Sequence, residues 1–146
     1  MSSWAILERR EQNSRDRESK KLTALIDKRS EQRVLREKTQ KLLSQYEEQL
    51  QIVQAGSFSL NESHLYRSSI GQMRNALEQL DMVLYRLERD IQHYRSLVRN
   101  IEHERRKFQL LVDNENEALA DELIRHESRI LDDFSIGRFK TKNKLA

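Results

Sequence analysis

The stretch Y66-RSSIGQMRNALEQLDMVLYRLERDIQHYRSLVRNIEHERRKFQLL-V112 decides the fold. Stepping from Tyr66 by four and three residues in turn lands on Ile70, Met73, Leu77, Leu80, Leu84, Leu87, Ile91, Tyr94, Val98, Ile101, Arg105, Phe108 and Val112. Every one except Arg105 is apolar. A repeat of 3.5 residues sustained this far keeps one stripe of a helix turned toward a partner helix, which is the signature of a coiled coil.

Upstream, the matching stripe is weaker. Leu22, Leu25, Ile26, Leu35, Leu42, Leu43, Tyr46, Leu50 and Val53 recur at threes, fours and sevens, with Arg29, Gln32 and Thr39 at intervening seam positions. Trp4, Ile6 and Leu7 make a small apolar knot near the start. Between the two stripes lies QAGSFSLNESHLY, 54–66, where charge nearly vanishes. It reads as a hairpin tip. Gly56 stands where a first helix places a left-handed C′ residue, Asn61 is an N-cap, and Leu60 and Leu65 form a hydrophobic staple. Glu62 adds negative charge in the first turn, and Ser57, Ser59 and Ser63 are read as tip and capping residues. Two striped helices with a short link fold back antiparallel.

The predicted fold class is therefore all-α, a two-helix antiparallel coiled-coil hairpin whose longer second helix overhangs at its C-terminal end. The predicted organisation is a first helix over 1–54, a tip over 55–61, a second helix over 62–136 and a basic flexible tail over 137–146. Folding about residue 57 or 58 places Trp4 opposite roughly residue 111, where the strict heptad ends. Beyond it a new stripe reads Leu119, Leu123, Ile130 and Phe134, broadened by Ile124 and Leu131. At about 1.5 Å per residue the second helix outruns the first by roughly 35 to 40 Å. Ala76, Val83, Leu97 and Leu111 sit beside the seam and either thicken it or line a groove for another protein.

Composition agrees with long helices: 35% of the 146 residues are charged, there is no Pro and no Cys, and there are three Gly. The absence of Cys leaves no disulfide or thiolate metal ligand and fits a reducing compartment. The opening MSSWAILERREQ has neither the basic nor the apolar region of a secretory signal, and no apolar run is long enough for a transmembrane helix. A cytosolic protein is expected.

The net charge of +3 is unevenly spread. Residues 1–54 and 55–112 carry +3 and +2, residues 113–133 carry −6, and residues 134–146 carry +4. Mixed charge of this kind is a solvated coat and lacks the basic stripe that a nucleic-acid groove needs, so no nucleic acid is expected as partner. His64, His93, His103 and His126 are scattered, without the i, i+4 pairing that puts two imidazoles on one face. There is no phosphate-cradling glycine loop and no nucleophile elbow. No catalytic, metal or cofactor residue is assigned, and the protein is not expected to be an enzyme.

LLSQYEEQL (42–50), LNESHLYRSSIGQMRNALEQL (60–80) and HESRILDDFSIGRFKTK (126–142) carry a resemblance that spans nearly the whole chain. In these stretches the chain resembles the FliJ/YscO family, stalk proteins of flagellar and virulence type III export machines. The resemblance implies a non-enzymatic stalk and adaptor, flagellar in preference to virulence. It would insert its paired terminal helices into a hexameric export ATPase, stimulate it, and link it to the export gate at the inner membrane. Membrane association would come only through partners. By the same resemblance Trp4, Leu7, Leu119, Leu123, Ile130 and Phe134 would engage the ATPase, and Leu43, Tyr46, Leu50, Met73, Ala76 and Leu80 would face the gate. Export chaperones are further possible partners. The alternative is a coiled-coil chaperone or escort that holds export substrates or their chaperones without altering any turnover.

Overall fold

A computed structural model of the chain describes residues 2–56 and 60–145, with side chains described as far as Arg138. It is all-α: α1 spans Ser3–Ala55 and the longer α2 spans Leu60–Leu145, with no strand among the described residues. The helices run this far because nothing stops them, for the chain has no Pro and few Gly. Ser2 caps α1: its hydroxyl accepts from the Ala5 N–H at 3.1 Å and its carbonyl from the Ile6 N–H at 3.1 Å. Thr23 and Thr39 lie mid-helix, and each turns its hydroxyl back to the carbonyl one turn earlier, Ser19 and Leu35.

The chain divides into two compact units, one of residues 15–100 and one of residues 1–14 with 101–146. In the first, the stretches of α1 and α2 pair antiparallel. Leu43, Ile70 and Leu77 form a buried cluster, with Tyr46, Leu50 and Met73 packed against it. Tyr46 meets Tyr66 edge-on, ring centres 5.7 Å apart. Leu87 is buried and Ile91 is fully enclosed, at 0% exposure. Among the ion pairs that cross between the helices in this unit are Arg29 to Glu88 at 2.7 Å, Arg36 to Asp81 at 2.5 Å and Arg74 to Glu47 at 3.1 Å. Every α2 seam position named above, from Tyr66 to Val112, is buried or half-buried.

Several expectations need correction. Leu35 and Leu42 are 48% and 43% exposed and lie off the seam. Leu43 sets the phase of α1 in this region, and Arg36, seven residues before it, takes the seam position beside Leu35 and pairs with Asp81. At the tip, Gly56 follows the last residue of α1 as expected but is not left-handed, since no described residue has a positive φ. The helix begins at Leu60, so Asn61 lies inside it, and Leu60 and Leu65 are both exposed and make no staple. Ser57 and Ser59 lie outside the described residues. The second helix, expected over 62–136 with a flexible tail after it, continues through Gly137 to Leu145. An internal helical glycine costs only about 1 kcal/mol and no Pro follows it.

Candidate functional site

Two surfaces contain the residues that the resemblance singles out, one in each unit. In the unit of residues 1–14 and 101–146, a short stretch of α1 covers one stretch of α2. Trp4 stacks on Phe108 with ring centres 6.1 Å apart, and Leu7 is half-buried. Below them Arg105, the one polar member of the heptad, earns its seam position by bridging carboxylates. It donates to Glu8 at 3.0 Å and, through Nε and Nη2, to Glu102 at 2.9 and 2.8 Å. These carboxylates push the Arg105 guanidinium above its ordinary value. The charge is thereby satisfied inside a half-buried seam.

From residue 116 to residue 138 every side chain of α2 is exposed. Leu119, Leu123, Ile130 and Phe134 stand open, Phe134 at 59%, together with Ile124, Leu131 and Ile136. Arg138 places its guanidinium over the Phe134 ring at 4.6 Å. Around this stripe run eight carboxylates of residues 113–133. This amphipathic stretch has an apolar face and an acidic coat that none of the described residues of its unit covers.

The second surface lies toward the tip in the unit of residues 15–100. The structure places Leu43, Tyr46, Leu50 and Met73 in or against the buried cluster, and Leu80 half-buried in the seam. Of the six residues assigned to the gate, Ala76 alone is exposed. Heptad position accounts for this split: five are seam residues, while Ala76 sits beside the seam. An open groove lined by Tyr46, Val53, Glu62, Leu65, Tyr66 and Ser69 lies next to the cluster. On the far face of α2, Met82 and Tyr85 are exposed, with Arg89 stacked 6.0 Å from the Tyr85 ring. Heptad reading passed over both because they fall outside the seam. An apolar residue on the predicted solvent face was the signal that could have found them.

No helix among the described residues is long and apolar enough to cross a membrane. Paired helices with an uncovered stretch of α2 are what the described residues present. The family model described as "Flagellar FliJ protein" matches residues 5–144. The chain therefore belongs to the FliJ family, a structural component of the flagellar export apparatus. No curated protein and no solved structure matches it.

Proposed function

We propose that this protein is the stalk of the export ATPase: its base end enters the hexameric enzyme and promotes ATP hydrolysis, and the tip side reaches the membrane export gate. The observation that supports this most is the uncovered helix of residues 116–138. Leu119, Leu123, Ile130 and Phe134 expose apolar surface inside an acidic coat, next to Trp4 and Leu7 on a short pairing stretch. Apolar area of this kind is stabilised by burial at about 25 cal/mol per Å². The acidic coat steers encounter with a basic lining and sets its orientation. For the gate, Ala76 and, separately, the groove beside Tyr66 offer contact without opening the seam.

Because the chain has no cysteine, single reporters are simple to place. A photo-crosslinker on Ile130→Cys is expected to capture the export ATPase, while the same label on Val34→Cys is not. Capture from Val34→Cys alone, or from neither site, would overturn the insertion. For the tip, Ala76→Glu is expected to weaken binding to the cytoplasmic part of the gate at unchanged melting temperature. Unchanged binding would remove the gate contact from this face.

A further inference from the structure

The seam of the 15–100 unit is not uniform. Four successive seam positions of α1, Arg29, Gln32, Arg36 and Thr39, are polar and half-buried. The Arg29–Glu88 and Arg36–Asp81 pairs set the register and put this stretch level with Leu77, Leu80, Leu84 and Leu87 of α2. Leu77 packs with Leu43 and Leu87 is buried, so it is Leu80 and Leu84, half-buried between them, that lie level with the polar positions. The apolar residues that α1 does carry here, Val34 and Leu35, are exposed off the seam.

Either side of this stretch is different. Toward the tip, Leu43 is buried with Tyr46 and Leu50 against Ile70, Leu77 and Met73. In the other direction Leu22, Leu25 and Ile26 are half-buried at the level of the fully enclosed Ile91. Arginine stems cover some apolar surface, but their heads must reach water or a carboxylate. Arg29 and Arg36 find Glu88 and Asp81 at the edge of the seam. What closes this stretch is therefore mostly ionic, and exposed ion pairs weaken with salt.

We infer that residues 29–39 of α1 form an ionically latched window, which parts from α2 while the apolar stretches on both sides stay packed. Opening uncovers Leu80 and Leu84 of α2 and gives this helix pair a fixed place at which to bend or untwist. A freed segment this short is not stable as an isolated helix, so its amides lose protection when it parts.

Hydrogen exchange of the full-length protein tests this directly. Amides of residues 29–39 are expected to exchange at least about tenfold faster than those of residues 43–53. The gap should widen between about 0.1 M and about 1 M salt, as the screening length falls from roughly 10 Å to roughly 3 Å. In a variant carrying Arg29→Leu, Gln32→Leu, Arg36→Leu and Thr39→Leu, the two segments should become equally protected and salt should cease to matter. Equal, salt-insensitive protection of both segments in the unaltered protein would overturn the window, whether or not the variant folds.

Discussion

Arg105 and the two acidic partners of the window show what single charged residues do in a seam otherwise made of leucine. Arg105 touches Glu8 and Glu102 together, so removing it leaves two half-buried carboxylates near one another. Arg105→Ala is expected to cost about 1 to 2 kcal/mol in urea unfolding, and Arg105→Leu combined with Glu8→Gln to cost less than Arg105→Ala alone. A double variant that is worse than the single one would show that the bridge does not act as a unit. Asp81 and Glu88 are different, for both are held below the ordinary carboxylate range. The cause is hydrogen bonding from Arg36 for Asp81, and from Arg29 and then Gln92 for Glu88. A depressed carboxylate stabilises the fold above its unfolded value and loses that contribution as pH falls through its folded value. The melting temperature should therefore drop as pH is lowered below about 4. Asp81→Asn should flatten that drop. An Asp81→Asn profile parallel to the parent would remove Asp81 from the account.

At the scale of the element, heptad phase decides which residues matter. Leu77 lies in the buried cluster and Ile91 is fully enclosed, so Leu77→Ala and Ile91→Ala are each expected to cost about 2 to 4 kcal/mol in thermal unfolding. Leu35→Ala, just off the seam, should stay within about 0.5 kcal/mol of the parent. Equal losses at Leu35 and Leu77 would mean that α1 is rotated from the phase described. The α2 seam was fully legible in the sequence, since a strict apolar repeat leaves one solution. In α1 the same rule misled, because it takes apolar residues as seam markers. Leu35 and Leu42 carry that mark, but Leu43 and the Arg36–Asp81 pair fix the phase one residue away. Such a pair is invisible until the two helices are aligned. The helix end was misplaced for a related reason: Gly137 is a stop signal only where it adopts a positive φ, and it does not.

For the molecule as a whole, the exposure of Leu119, Leu123, Ile130 and Phe134 was legible because an apolar stripe continued past the strict heptad. The tip-side surface was not, since five of its six assigned residues belong to the seam. Past Val112 the helix is exposed from residue 116 to residue 138 and adds little buried surface, so a truncation ending at Val112 is expected to unfold as cooperatively as the full chain. Circular dichroism against temperature checks this, and a collapse of the transition would show that the missing helix is structural. With that control in hand, the decisive measurement is the ATP hydrolysis rate of the hexameric export ATPase, alone, with the full chain, and with the truncation at Val112. The stalk reading predicts stimulation by the full chain and none by the truncation. No stimulation by either, or equal stimulation by both, would contradict it.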